Sequence, residues 1–207
     1  MHTINIIAAV VTVVVALVAF VRMWWCMRNE TARPNVFTWV VWAILATALL
    51  KSEWEAIGAT WALSLLINDL ICISATAIAL SVIAIRNLKA GKKQTKKDWL
   101  KKNAVELSCL VAIMLATVVW WLTSSALIAL ICYLAIDFIA VVPTLYAVWQ
   151  DYRVEDAWEW VLFQVANTAV ILTVPAFTFE HLAYPITVCL IALVVNMVRG
   201  LSWWMDV

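Results

Sequence analysis

Three side chains within one apolar stretch of the sequence have the types and spacing of a small-molecule binding site. Trp160, Gln164 and Asn167 are spaced by four and three residues, so on a helix they share one face. A stacking ring with two amides suits a polar, ring-bearing solute. The same amides could instead hydrogen-bond neighbouring helices, where each bond is typically worth about 0.6 kcal/mol in a membrane. The sequence leaves both interpretations open.

Two carboxylates interrupt other apolar stretches, at Asp69 and Asp137. An ionisable group at mid-membrane costs on the order of 2.5 to 3.5 kcal/mol, so each is expected to face a cavity or a partner. They could bind a coupling proton or cation, or they could fix helix packing as neutral, hydrogen-bonded groups. Asn68 and Asn196 are further candidates for lining the binding site. Pro143 is expected to kink its helix and is a candidate hinge.

The composition requires apolar helices to position these residues. Of the 207 residues, 66% are hydrophobic and 13% are charged, about half the charged share of a soluble domain. Crossing the bilayer core takes about 20 mostly apolar residues. Seven segments are candidates: residues 3–21, 34–50, 60–85, 103–122, 126–149, 158–177 and 184–201. The predicted fold class is an all-α membrane protein with seven transmembrane helices.

The basic residues predict an orientation for these spans. Of the 14 Lys and Arg residues, 13 fall on one side of the seven-span map and only Lys51 falls on the other. Since basic residues concentrate in the cytoplasm, the N-terminus is expected outside and the C-terminus in the cytoplasm, in a plasma or bacterial inner membrane. The most basic segment, residues 86–102, begins at Arg86 and ends at Lys102. It is either a topology signal and linker or a dock for anionic lipid or a partner protein, and it has no aromatic platform for nucleic acid.

The seven spans divide into two triplets joined by a linker helix. The predicted units are residues 1–85 (spans one to three), 86–125 (the basic loop and span four) and 126–207 (spans five to seven). An offset of 121 residues carries Trp39 onto Trp160 and Trp42 onto Phe163. Because the central span is single, both triplets have the same orientation. This is a parallel repeat, with an axis along the membrane normal.

Residues 137–167, DFIAVVPTLYAVWQDYRVEDAWEWVLFQVAN, resemble the PQ-loop superfamily, which includes the SWEET sugar facilitators and the Pnu-type nicotinamide-riboside transporters. Pro143 and Thr144 stand where the Pro-Gln pair of that family would be. Residues 153–155 (RVE) and 158–160 (WEW) are similar to the vitamin-transporter version. The resemblance implies a seven-helix transporter with a three-one-three plan.

The resemblance also bears on two of the asparagines. Asn68 and Asn196 lie on the pair of helices that contributes asparagines to the sugar site of SWEET proteins, so it implies the same role for them. The first triplet departs from the family pattern, because span one contains no proline.

The sequence has no arrangement typical of an enzyme. The only histidines are His2 and His181, both at the predicted outer surface, and the five cysteines have no CxxC spacing. No catalytic residue, metal or cofactor is therefore expected. Two classes remain: a transporter of a small polar solute, or a non-transporting membrane subunit that serves as anchor, receptor or scaffold. Either class is compatible with a homo-oligomer in the lipid bilayer.

Overall fold

A computed structural model describes residues 2–29, 31–55, 103–122, 126–174 and 176–205, together with eight positions between 67 and 81. The regular elements in these ranges are all helical. The helices are α1 (His2–Arg28), α2 (Val36–Glu55), α3 (Ala104–Leu122), α4 (Ala126–Gln150), α5 (Ala157–Ile171) and α6 (Phe179–Met205), with a 3₁₀ turn at Tyr152–Val154. Asn68, Asp69 and the basic segment 86–102 lie outside the described residues.

Several of these helices have the length and composition of membrane spans. Three described segments are long and apolar enough to cross a bilayer: Asn5–Arg28, Leu130–Gln150 and His181–Met205. Two shorter apolar helices cover Val36–Ala46 and Ala104–Val119. Apolar side chains also cover the outward faces of α1, where Val10, Val14 and Val21 are all exposed. A helix that is hydrophobic on all sides is typical of a bundle in lipid, so the coarse prediction of a helical membrane protein is confirmed.

The helices pack in an order that differs from their order in the chain. Helix α1 packs against α5, α5 against α6, and α6 against α4, which also contacts α2 and α3. The consecutive helices α4 and α5 therefore both pack against α6, the last helix of their triplet. This arrangement brings α1, α2, α4, α5 and α6 around one central space.

Helices α2 and α5 begin with the same capping geometry. The Asn35 Oδ1 atom accepts a hydrogen bond from the Thr38 backbone N–H at 3.3 Å, and Asp156 Oδ2 accepts from the Glu159 N–H at 3.0 Å. Each bond satisfies one of the N–H groups that a helix start leaves without an intrahelical partner. In both helices a tryptophan follows the capping residue by four positions.

Helix α4 continues through Pro143, which is buried. The turn of helix around it is bound to α2. The Thr38 hydroxyl donates to the Ala140 carbonyl at 2.7 Å and accepts from the Thr144 hydroxyl at 2.9 Å. Since proline removes one backbone hydrogen bond from its own helix, these side-chain bonds supply polar contacts where α4 is weakest.

Candidate functional site

The central space holds a cavity of about 70 Å³, enough for a few water molecules. Its walls are mostly aromatic, with seven rings from five helices: Phe20, Trp39, Trp42, Tyr133, Trp160, Phe163 and Tyr184. Four aliphatic residues, Ala46, Val188, Ile191 and Ala192, and two polar ones, Asp137 of α4 and Asn167 of α5, complete the lining. An apolar pocket with a few convergent polar groups is the usual form of a small-molecule site.

Tryptophans from α2 and α5 form the middle of the aromatic wall. The Trp39 and Trp42 ring centroids are 5.4 Å apart, and Trp160 lies 6.5 Å from Trp39 and 6.0 Å from Trp42. Phe163 extends the wall at 5.8 Å from Trp39. Aromatic rings favour such tilted and edge-to-face geometries, so these ring contacts stabilise the packing of α2 against α5.

The three indole N–H groups differ in their bonding. The Trp160 Nε1–H donates to Glu155 Oε2 at 3.2 Å. The Nε1 atoms of Trp39 and Trp42 are buried and have no hydrogen-bond partner among the described residues. Because the large majority of buried polar side-chain atoms in proteins are bonded, two unpartnered donors in the wall of one cavity call for an acceptor.

Asp137 and Asn167 are the polar groups of the cavity. The Asp137 side chain is in the bundle interior, with 5% of the residue exposed. The Asn167 Nδ2 group donates to the Phe163 carbonyl at 2.9 Å. This bond within α5 fixes the orientation of the amide, and its oxygen is the group that can accept a hydrogen bond from a solute.

The other predicted site residues lie elsewhere. The Gln164 Nε2 group donates to Cys189 Sγ of α6 at 2.7 Å, and Gln164 does not line the cavity. Successive residues turn by about 100° on a helix, so Gln164 lies about 40° to one side of Trp160. Phe163 and Asn167 lie on the other side, toward the cavity. Asn196 is on α6 but is likewise not among the cavity-lining residues.

A cluster of polar side chains, here called the loop network, surrounds the connection between α4 and α5. It consists of three acids with their partners: Glu155, Asp156, Glu159, Arg22, Asn35 and Arg199. The Glu155 carboxylate accepts from the Asn35 backbone N–H and from Trp160 Nε1, each at 3.2 Å. Arg199 Nε donates to the Glu155 carbonyl at 3.2 Å. The loop therefore ties the start of α2 and the end of α6 to the Trp160 ring.

The three acids of the loop network have unequal partners. Arg22 bonds the Asp156 carboxylate with two nitrogens, Nε and Nη2, the latter at 2.9 Å. Glu155 and Glu159 are each only 1% exposed. Neither Glu159 carboxylate oxygen has a hydrogen-bond partner among the described residues. The Arg22 guanidinium is thus committed to Asp156, the acid that is partly open to solvent.

The surroundings of Glu155 and Asp156 shift the pKa values of these two acids in opposite directions. Burial raises the pKa of Glu155 to about 7, although the bonds from Trp160 and Asn35 oppose the shift. Burial also acts to raise the pKa of Asp156, but the Arg22 guanidinium and the Glu159 N–H outweigh it and lower the pKa below its ordinary value.

The roles of Glu155 and Glu159 were not evident from the sequence. Acids beside a short loop at the edge of a span are normally solvated. The sequence therefore singles out Glu155 and Glu159 only as parts of the family-like RVE and WEW segments. Their burial comes from α1, α2 and α6, which are distant in sequence. A local signal does exist, because Glu159 stands between Trp158 and Trp160 and Glu155 lies four residues before it.

Comparison with known protein families, with curated proteins and with solved structures finds no match to this chain.

Proposed function

We propose that the chain is an integral membrane transporter, or facilitator, of a small polar metabolite that passes through the central cavity between two helix triplets. The cavity carries this proposal. Unpartnered Trp39 and Trp42 N–H groups can donate to a solute, and Asp137 and Asn167 can accept from it. Aromatic faces around these polar groups favour a solute that contains a flat ring, and the cavity of about 70 Å³ must widen to admit one.

The proposed architecture has seven spans in a three-one-three plan, as the PQ-loop resemblance implies. A repeat at the 121-residue offset is supported by the cavity itself. If Trp39 corresponds to Trp160 and Trp42 to Phe163, the Trp39–Phe163 pair at 5.8 Å corresponds to the Trp160–Trp42 pair at 6.0 Å. The two distances differ by 0.2 Å, whereas the pairs within each helix, Trp39–Trp42 at 5.4 Å and Trp160–Phe163 at 6.0 Å, differ by 0.6 Å, so the two-fold relation of the rings is approximate.

Helix starts and helix pairs give independent support for the repeat. The offset carries the capping residue Asn35 onto the capping residue Asp156. In the seven-span plan, α1 and α5 are spans one and six, while α2 and α4 are spans two and five. Exchange of the triplets therefore converts the α1–α5 contact into the α4–α2 contact, and both pairs are packed. The cavity would then lie on the axis between two rocking bundles.

Asp137 and Pro143 receive distinct roles in this mechanism. Asp137 would set the polarity of the site or couple the solute to an ion, because it brings a carboxylate to an otherwise aromatic wall. Pro143 would be the hinge, because α4 lacks a backbone hydrogen bond there and can bend at low cost. The proposed orientation, with the N-terminus outside, puts the loop network and residues 86–102 on the cytoplasmic side.

Thermal stability of the detergent-purified protein tests the proposal, using a panel of sugars, nucleosides, vitamins and amino acids. A solute at 100 times its dissociation constant should stabilise the protein by roughly 2.7 kcal/mol. Trp42→Phe keeps a ring but removes one unpartnered N–H, and Asp137→Asn removes the charge. Both should weaken the stabilisation by a hit. Trp158→Phe is the matched control, because Trp158 is 63% exposed and lies outside the cavity.

A hit that is weakened in both cavity variants but retained in the control would support the cavity as the solute site, and uptake into proteoliposomes would then establish transport. If no panel member stabilises the protein, and the cavity variants behave like the control, a non-transporting anchor, receptor or scaffold becomes the better account.

A further inference from the structure

We propose that Glu155 and Glu159 form a proton-binding site that holds one proton in the closed structure described here. The existence of this site is independent of transport, whereas its use in coupling rests on the function proposed above. The argument depends on the donors, the charges and the packing around the two carboxylates.

The hydrogen-bond donors are divided unequally between the two acids. Glu155 Oε1 accepts from the Asn35 N–H and Oε2 accepts from Trp160 Nε1–H, so each oxygen of Glu155 has a donor, as suits an ionised carboxylate. Glu159 has no donor on either oxygen among the described residues, although it is fully buried. A buried carboxylate without donors takes up a proton and becomes neutral. The geometry therefore assigns the shared proton to Glu159.

Among the described residues, the charged groups bonded around the two acids include no cation that binds a second carboxylate. From α1, Arg22 is bound to Asp156, and Cys26 is a free, buried thiol. From α6, Arg199 donates to the Glu155 backbone carbonyl rather than to its carboxylate. The remaining neighbour is Glu106 of α3, which accepts from the Asn35 side chain and adds negative charge. Two carboxylates in such surroundings do not ionise together.

The proposed repeat offers a comparison for Glu159. At the 121-residue offset its counterpart is Thr38, whose hydroxyl donates to the Ala140 carbonyl at 2.7 Å. A protonated carboxyl also carries an O–H donor, whereas an ionised one can only accept. The neutral form of Glu159 therefore carries a hydroxyl, as Thr38 does, although neither Glu159 oxygen has a partner among the described residues.

Trp160 connects the proton site to the cavity. Its Nε1–H is bound to Glu155 while its ring forms part of the cavity wall. Removal of the proton would leave two negative charges behind this ring without a compensating cation. Release is therefore expected to require opening of the loop network to water, which would couple proton exchange to a conformational change at this end of the bundle. The pKa of Glu155 is raised by burial to about 7, so Glu155 ionises in the neutral range and leaves a single proton, on Glu159.

Infrared spectroscopy of the purified full chain, titrated with acid and base and with no solute added, tests for the proton directly. The expected result is a protonated-carboxyl C=O band that loses part of its intensity as the pH rises through neutrality, when Glu155 ionises, and keeps the part that belongs to Glu159. Glu159→Gln should abolish the part that persists above neutrality. Asp151→Asn, an exposed acid of the same loop, should leave both parts unchanged. Trp160→Phe should shift the midpoint of the loss to higher pH, since ionised Glu155 loses a donor.

Two further variants make the assignment unambiguous. Glu155→Gln breaks the pair without touching Glu159, so it supplies a second test if Glu159→Gln does not fold: the neutral-range loss of intensity should disappear while the persistent band remains. A band that survives Glu159→Gln and Glu155→Gln but disappears in Asp137→Asn would assign the proton to the cavity and overturn the proposal. Absence of any protonated-carboxyl band in the wild-type protein at about pH 6, where exposed carboxylates are ionised, would also overturn it. Because no solute takes part, a failed metabolite screen would not affect these outcomes.

Discussion

Neighbouring carboxylates at positions 155 and 156 have opposite consequences for stability. Asp156 is bound to Arg22 and has a lowered pKa, so its contribution is present at neutral pH and is lost as the pH falls through its folded-state value. Glu155 has a pKa raised from 4.5 to about 7, so the folded state binds more protons than the unfolded state between these values. Its contribution is full below pH 4.5 and is lost as the pH rises toward 7.

We expect the thermal stability of the purified protein to fall as the pH is raised from 5 to 8, values that span the raised pKa of Glu155 at about 7. Glu155→Gln should flatten this slope, because the substituted residue cannot ionise. The measurement is the unfolding temperature at a series of pH values, with Asp151→Asn as the matched control. A wild-type protein that becomes steadily more stable over this range would contradict the assignment.

Spacing along single helices explains how far the site could be predicted at the residue scale. The face shared by Trp160 and Asn167 is visible in the sequence, and both line the cavity. Gln164, four residues after Trp160, lies only about 40° from it around the helix axis, yet it bonds Cys189 rather than lining the cavity. This small difference in angle is enough to give it a different neighbour. That neighbour is set by the position of α6, which periodicity within α5 cannot reveal.

At the scale of elements, the contact between α2 and α4 is the one that binds the candidate hinge. Thr38 and Thr144 are fully buried and join the two helices beside Pro143. A polar side chain in an apolar helix can be predicted to have a hydrogen-bond partner. The identity of that partner depends on how α2 and α4 pack against each other. The effect of Pro143 on its own helix was predictable from the sequence, whereas the hydrogen bonds that join this turn of α4 to α2 were not.

Thr38→Val should destabilise the protein by about 1–3 kcal/mol, because it preserves shape but leaves the Ala140 carbonyl and the Thr144 hydroxyl without their buried partner. Chemical denaturation in detergent measures the change in unfolding free energy. Thr117→Val is the matched control, because Thr117 is exposed and its hydroxyl bonds only within its own helix. The control should stay within about 0.5 kcal/mol of wild type. Equal effects of the two substitutions would argue against a structural role for the α2–α4 bond.

For the whole molecule, composition is sufficient to predict a helical membrane protein, because apolar stretches long enough to cross the bilayer are a direct property of the sequence. The order in which the helices pack is a property of their long-range contacts. Glu155 and Glu159 illustrate the difference. Their surroundings come from helices at both ends of the chain, so the tryptophans beside them in the sequence are not enough to predict that they are buried.

The proposed orientation predicts which loops a reagent can reach. In a variant without its native cysteines, Ala176→Cys should react in intact cells with a thiol reagent that does not cross membranes. Asp151→Cys should react only after permeabilisation. Both positions are exposed and lie at opposite ends of α5, so they form a matched pair. The reverse pattern would invert the orientation, and equal labelling of both would be incompatible with α5 as a span.

The close approach of Trp39, Trp42 and Trp160 also has an optical consequence. Their ring centroids are 5.4 to 6.5 Å apart, close enough for the ultraviolet transitions of the three indoles to couple as excitons. Such coupling gives a circular dichroism couplet whose sign and amplitude depend on the angles between the rings. Any event that rotates one of these rings would therefore change the spectrum, and the cavity carries an intrinsic, label-free reporter of its own occupancy.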